Sequence, residues 1–464
     1  MSAKLQNPAV ETVKNALTEK TFSHGQLEVS PDKLLLFYSK QQEGKKGIAH
    51  LLNLANASEE SLRDLCDAAD AAGFGLGDQN TFDETYRKSK KLDTTQFSCN
   101  FDPRSTKIFD QIQADLIEGQ DESQRVLRPE LYKLNTCGEG DFFKAHKDTP
   151  RAENMMGSLV IIFPTVHKGG SLVLRQDGHE WTFGAEKMLA KSTPEAPVVS
   201  YVAFYSDTEH EVLPVTSGVR VTLTYNLYLE DKKPTVPAQV AESSGDPTPV
   251  DVLKPALQAL LTDKNFLPEG GLLGFGLRHQ YPIALSKYRS GTSSFKIDGN
   301  CDDDFNDYIY THSSEFIEQG RKRLSQLVNS LKGSDASILR ACRELGLDAN
   351  IRILYRPRGW EVVYMTDHII PEEDEGYYEG EELKLWLEKS GTLVSASDEY
   401  IKNQLRYSGK AVKLPEVVWV TPITTFNRTE STYVAYGNEA CVVYLYGDVC
   451  LIVKVGQPGS RMAH

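Results

Sequence analysis

No run of apolar residues in the 464-residue chain approaches the length needed to cross a bilayer, so no membrane-spanning helix is expected. Residues Met1 to Lys20 lack an apolar central stretch, and no secretory leader is predicted from them. The seven cysteines are scattered and odd in number, and no Cys-x-x-Cys pair occurs. That argues against both a disulfide framework and a zinc ribbon, and thiols of this kind fit a reducing, intracellular compartment, cytoplasmic or nuclear. The chain has no excess of basic charge. Its formal charge is −14, which argues against a nucleic-acid backbone as the main partner. Internal repeats of solenoid length are also missing.

What is present is an ordinary globular composition, with 40% hydrophobic and 25% charged residues, on a chain long enough for two or three domains. Residues 1–125 read as a mixed, largely helical support region. Ser58 can cap a helix through Leu62, Leu65, Ala69 and Ala72, closed by Gly73 and Gly75. A second helix is expected from Ser105 to Glu118, with Ile108, Ile112 and Leu116 on one face.

Between residues 126 and 230 the texture changes to short strands separated by turn dipeptides such as Gly169-Gly170, Asp177-Gly178 and Ser217-Gly218. Eight strands in about a hundred residues predict a jelly roll of two antiparallel sheets. Residues 231–250, rich in Pro, Ser and charge, read as a linker. Residues 251–464 read as a second α+β domain, with helices at Leu253–Leu261, Ser314–Leu331 and Ser337–Leu345. Its strands are expected at Ile351–Tyr355, Glu361–Tyr364, Val417–Val420 and Ala440–Val455. The acidic stretch 372–382 reads as a solvated loop. The overall class is α+β.

The chemistry centres on His146-Lys147-Asp148. On a strand, residues i and i+2 share a face, so one imidazole and one carboxylate can meet a metal from the same side. No other histidine in the chain has an acidic residue two positions on. His210, after the strand-like run Val202–Tyr205, can supply a third ligand. Two histidines and a carboxylate on one triangular face leave open positions for O2 and an organic chelator, the donor set of non-haem Fe(II) oxygenases. Ten residues past His210 lies Arg220, on a run where Arg220, Thr222, Thr224 and Asn226 alternate with apolar residues. If that polar face lines a barrel cavity, the arginine needs an anionic partner, and a dicarboxylate would supply one.

The segment LYKLNTCGEGDFFKAHKDTP, with the later VAFYSDTEHEVLPVTSGVRVTLTYNL, resembles the prolyl-4-hydroxylase-type 2-oxoglutarate/Fe(II) oxygenases, and looks closest to a fungal group. The resemblance covers residues 125 to 230 strongly and extends more weakly to residues 274–281 and 436–439. It implies a double-stranded β-helix, with iron at the His146, Asp148 and His210 positions. It also implies 2-oxoglutarate as co-substrate, its distal carboxylate on Arg220 with Thr222 adding a hydroxyl. The implied reaction is hydroxylation of a protein prolyl side chain or a small molecule, with O2 consumed and succinate and CO2 released. Relatives commonly carry a tyrosine nine residues before the first iron-binding histidine. Here that position is Cys137, and Tyr132 lies at an odd offset from it. The alternatives are a non-catalytic β-helix that binds partners, and a metal-dependent isomerase or hydrolase on a cupin-like jelly roll. The C-terminal region has the size of a second β-helix without metal ligands, so a single iron site is expected. His279 and Glu439 are weaker candidates; a core position and a turn are the simpler readings of them.

Overall fold

The computed structural model describes residues 7–17, 20–42, 45–76, 79–117, 125–152, 154–184, 189–231, 248–281, 317–318, 320–356, 361–369, 387–409, 411–424 and 448–461. The chain divides into two compact units. One gathers residues 20–240. The other joins residues 1–19, which carry helix α1 (Pro8–Asn15), to most of the chain after residue 241.

The first unit begins with β1 (Phe22–Glu28), β2 (Leu35–Gln42), β3 (Lys45–Asn53), α2 (Glu59–Ala68), β4 (Asp70–Ala71), β5 (Phe74–Leu76), β6 (Gln79–Thr81), β7 (Arg87–Lys88), β8 (Lys90–Asp93), β9 (Phe97–Cys99) and α3 (Ile108–Leu116). It continues with β10 (Arg125–Cys137), β11 (Phe142–His146), β12 (Met155–Ile162), β13 (His167–Gly169), β14 (Leu172–Gln176) and β15 (His179–Phe183). The last four are β16 (Val198–Tyr205), β17 (Glu209–Val212), β18 (Val215–Gly218) and β19 (Arg220–Asp231).

The strands assemble into a seven-stranded sheet, β1-β16-β12-β19-β10-β8-β4, and a five-stranded sheet, β15-β14-β17-β11-β7. Every pairing in both is antiparallel. β16 reads VVSYVAFY and is buried along its whole length, so it shows no in-out alternation. α2 and α3 give Leu62, Leu65, Ile108 and Ile112 to a core shared with the large sheet. The β14–β15 hairpin turns on Asp177 and Gly178, both at positive φ, as a two-residue turn that follows strand twist requires.

The expectation of a largely helical region up to residue 125 is corrected. The described residues between 22 and 99 form nine strands and one α-helix. Period-two burial is the reason: Leu36 and Tyr38 are buried while Phe37 between them faces outward. α2 does start at the Ser58 cap, whose hydroxyl accepts from the Ser61 N–H. It stops at Ala68, because Asp70 and Ala71 pair with Lys91 and Lys90. Ala69 and Ala72 are buried without being helical. α3 begins at Ile108, after a 3-10 turn over Pro103–Ser105 capped by Asp102.

The second unit contains α4 (Pro249–Thr262), β20 (Gly271–Gly276), α5 (Gly333–Glu344), β21 (Asp348–Tyr355), β22 (Val362–Thr366), β23 (Thr392–Ala396), α6 (Asp398–Ser408), β24 (Val417–Thr421) and β25 (Asp448–Val455). Its described strands make one six-stranded sheet, β23-β22-β21-β25-β20-β24, with only β20–β24 parallel. Among the described residues there is thus one sheet here, not the two facing sheets of a second β-helix. α1, α4 and α5 share a core with its strands, and Val10 and Val13 join Leu253, Leu257 and Leu260 in it. The expected helix from Ser314 is described only from residue 317 and gives way to a 3-10 turn at Val328–Ser330. Most of the linker, the acidic loop, and Tyr436 to Glu439 lie outside the described residues.

Candidate active site

The two sheets enclose a cavity of about 80 Å3, lined by β10, β12 and β19 on one side and by β11, β14 and β17 on the other. His146 ends β11 and His210 sits in β17, directly opposite in register. Their ring centres are 4.1 Å apart. Asp148 lies just past the end of β11, and its backbone N–H donates to the Ser206 carbonyl. That bond turns the carboxylate toward the two imidazoles. One ligand atom from each of the three residues lies within 4.8 Å of the others. Among the described residues this is the one cluster able to hold a metal ion.

The surrounding bonds set each donor. His146 Nδ1 lies 2.8 Å from the Lys144 carbonyl, and His210 Nδ1 lies 3.0 Å from that of Thr208. A carbonyl only accepts, so both Nδ1 atoms carry protons, and Nε2 is the ring nitrogen each histidine has left to offer a metal. Burial and the neighbouring His210 hold His146 well below the usual imidazole range, which keeps it neutral. The Ser158 hydroxyl donates to Asp148 Oδ2 at 2.6 Å, while Oδ1 faces His210 Nε2 at 3.8 Å. One carboxylate oxygen is thereby anchored. The phenyl ring of Phe143 stacks on His146, its centre 3.5 Å from the imidazole centre.

Arg220 opens β19 and faces Cys137 across the β10–β19 pairing. It is 3% exposed, and its Nη2 has no hydrogen-bond partner. Burial lowers its pKa. Cys137 is also buried. Burial pushes its thiol up to about 11 despite the opposing arginine, so it is uncharged near neutrality. Gly170, at φ +63, lets the arginine pass, since a Cβ there would lie 2.9 Å from Arg220 Cδ. Thr222 is buried on the same side of the cavity. The five residues singled out from the sequence, His146, Asp148, His210, Arg220 and Thr222, all line one cavity. The donor set and the unpartnered buried guanidinium fit a metal with a bound carboxylate co-substrate.

Ser158, Arg87 and Lys133 are among the lining residues that were not foreseen. Ser158 is a lone hydroxyl in the apolar run MMGSLVII, a context without a motif. Arg87 comes from β7, at the edge of the small sheet, and donates to the Gly73 carbonyl, the Ser89 hydroxyl and the Asn135 side chain. Lys133 alternates with Asn135 and Cys137 into the cavity. Tyr132 sits where the β10 register shifts, and its hydroxyl accepts from Arg151. It is not among the residues lining the cavity. In the second unit, His279 is buried and its backbone N–H donates to Asp335, consistent with a core position.

The search of curated proteins finds no match. Among solved structures, the chain is similar to a Pseudomonas putida prolyl-4-hydroxylase, at 17% identity over 47% of this chain and 98% of that one, with a TM-score of 0.27. It is similar to an oxidoreductase of the 2OG-Fe(II) oxygenase family from Burkholderia pseudomallei, at 12% identity over 49% and 93%, TM-score 0.22. A third is the Trichoplax adhaerens prolyl hydroxylase in complex with a hypoxia inducible factor oxygen degradation domain peptide fragment. That match has 14% identity over 48% and 89%, TM-score 0.25. Residues 132–228 match the family model of the 2OG-Fe(II) oxygenase superfamily, whose members use Fe(II), 2-oxoglutarate and O2.

Proposed function

We propose that the chain is a non-haem Fe(II)- and 2-oxoglutarate-dependent dioxygenase that hydroxylates a carbon of its substrate, a protein prolyl side chain or a small molecule. In this reading His146, Asp148 and His210 hold the iron, and Arg220 with Thr222 holds the distal carboxylate of 2-oxoglutarate. The observation that carries it is the pairing of a buried His-Asp-His cluster with an unpartnered, buried guanidinium in the same cavity. A buried cation without a partner is costly, and a bidentate carboxylate is the contact that satisfies a guanidinium best.

Fe(II) with 2-oxoglutarate supplies the oxidation: one atom of O2 enters the substrate and the other enters succinate, with release of CO2. The protein's residues position and protect. Lys144 and Thr208 fix the two imidazole rings through their carbonyls, and Ser158 fixes the carboxylate. Val160, Leu172, Phe204 and Val212 make the remaining wall apolar, which keeps water from the reacting groups. A thiol at Cys137 removes a hydroxyl donor that relatives commonly offer the co-substrate. Arg220 and Thr222 then carry that contact. The five cysteines described as free suit a reducing, intracellular compartment.

The test is anaerobic loading with Fe(II) and 2-oxoglutarate, read by the charge-transfer absorbance of the chelate, then exposure to O2 with succinate measured. His146→Ala should lose both signals. Succinate no higher in the parent protein than in His146→Ala, together with no binding of 2-oxoglutarate, would leave a binding scaffold as the better reading.

A further inference from the structure

We propose that Lys133, supported by Arg87, forms a second anion-binding subsite in this cavity, and that the primary substrate presents a carboxylate to it. The inference rests on the dioxygenase reading above and names the substrate class. Lys133 is 5% exposed and lines the cavity. Among the described residues no carboxylate comes within ion-pair distance of its ammonium; its recorded contact is the Tyr132 ring, 4.1 Å from Nζ. An amine in that position gains from an anion brought in by a ligand.

Charge and position separate the two cations. Arg87, Lys133 and Arg220 line the cavity against a single lining carboxylate, Asp148. The Cys137 thiol is uncharged, as argued above. Two guanidiniums and the Lys133 amine, whose pKa burial pushes well below the usual lysine range, thus face one carboxylate. A divalent metal raises that surplus, and one dianionic co-substrate removes only part of it. Along β10, Lys133 pairs with Thr224 and Cys137 with Arg220. Four residues separate the two positions, roughly 13 Å of strand. Asp148 lies near enough to Lys133 and Arg87 to act electrostatically on both, with Cys137 and Tyr132 also acting on Arg87, whereas the neighbour acting on Arg220 is the Cys137 thiol. Lys133 therefore stands at the metal end and Arg220 at the far end. A five-carbon dicarboxylate reaching from Arg220 to the metal leaves the ammonium free for another anion. The cavity is small, and one ammonium beside a guanidinium that already donates to neutral acceptors suits a monoanionic carboxylate better than a phosphate.

The experiment uses the full chain with Fe(II). The probes are the N-acetylamino acids, each as free acid and as carboxamide, and the readout is stimulation of 2-oxoglutarate consumption. Affinity for 2-oxoglutarate is measured in parallel from the chelate absorbance. The expected result is that at least one free acid stimulates about tenfold more than its amide, and that Lys133→Met erases the difference while Lys133→Arg keeps part of it. Lys133→Met should bind 2-oxoglutarate within about threefold of the parent, which also shows that it is folded. A tenfold or greater loss of 2-oxoglutarate affinity in Lys133→Met, by about 1.4 kcal/mol, would assign the lysine to the co-substrate and overturn the proposal. It also fails if no acid outperforms its amide, or if the preference survives in Lys133→Met. Parent protein that does not bind 2-oxoglutarate at all would remove the dioxygenase reading itself, a result distinct from these.

Discussion

His146 and His210 face each other across the β11–β17 pairing, and the same register that joins the strands brings their imidazoles to 4.1 Å between ring centres. A one-residue slip in that pairing would send one ring to the other face of the sheet. Metal binding at the proposed site would therefore depend on strand register as well as on residue identity. Deleting or inserting one residue between Phe143 and His146 should abolish metal binding while far-ultraviolet circular dichroism stays close to that of the parent protein.

Ser158 holds Asp148 through the 2.6 Å bond to Oδ2. Removing such a support around a metal ligand typically weakens metal affinity by about 10- to 100-fold. Ser158→Ala is expected to fall in that range in a competitive Fe(II) or Mn(II) titration, with much of the affinity for 2-oxoglutarate recovered at saturating metal. An unchanged metal affinity would show that the bond does not position the carboxylate.

Arg220→Met should act in opposite directions on function and stability. Affinity for 2-oxoglutarate is expected to fall by about a hundredfold or more, the loss of a bidentate charged contact. Unfolding free energy in the absence of ligand should rise by about 1 kcal/mol, because a buried unpartnered cation is exchanged for an apolar chain of similar size. Ligand titration and urea denaturation of the same preparation check both signs.

Gly170→Ala tests the passage of the arginine. The new Cβ would meet Arg220 Cδ at 2.9 Å and Val215 Cγ2 at 2.8 Å, on a backbone already at positive φ. About tenfold weaker 2-oxoglutarate binding is expected, with Fe(II) affinity little changed.

His167 supplies a pH dependence. Its ring is buried, Nδ1 bonds the Thr165 carbonyl, and burial holds its pKa below the unfolded value of 6.5. With the folded value depressed, the unfolded chain takes up the proton first as pH falls. Stability from the neutral ring is thus complete above 6.5 and declines as pH drops from there through the folded value. The urea midpoint of the parent protein should fall more between about pH 7.5 and pH 5.5 than that of His167→Phe, which has no proton to gain. Equal slopes would remove the assignment.

In the second unit, Asp335 is fully buried and accepts from the Arg278 and His279 N–H groups and from the Tyr281 hydroxyl. Asp335→Ala leaves those donors without their acceptor. A cost of about 3 kcal/mol or more is expected in equilibrium unfolding.

Much of the site was legible because its signals are local. His146 and Asp148 are two residues apart, and the polar–apolar alternation after Val219 told which way Arg220 faces. Ten strands, β10 to β19, form where eight were expected, and the short β13 and β18 overlap two dipeptides, Gly169-Gly170 and Ser217-Gly218, that read as turns. Ser158, Arg87 and Lys133 were missed for a common reason. Each reaches the cavity only through long-range pairing, from β12, β7 and a strand whose register shifts at Tyr132. The N-terminal strands were under-read because their period-two pattern is short, and β2 puts Phe37 outward, against simple hydrophobicity. The sequence also offered no signal that α1 belongs with the late part of the chain.

That placement of α1 has a bearing on synthesis. Val10 and Val13 are translated before residue 20, yet the core that buries them is built from Leu253, Leu257 and their neighbours. At ordinary ribosomal speed the wait lasts roughly tens of seconds. During it, the leading amphipathic turns have no apolar home and stand open to chaperones or to a neighbouring nascent chain. Trimming them as a dispensable tag would leave the completed C-terminal unit with a permanent gap in its wall.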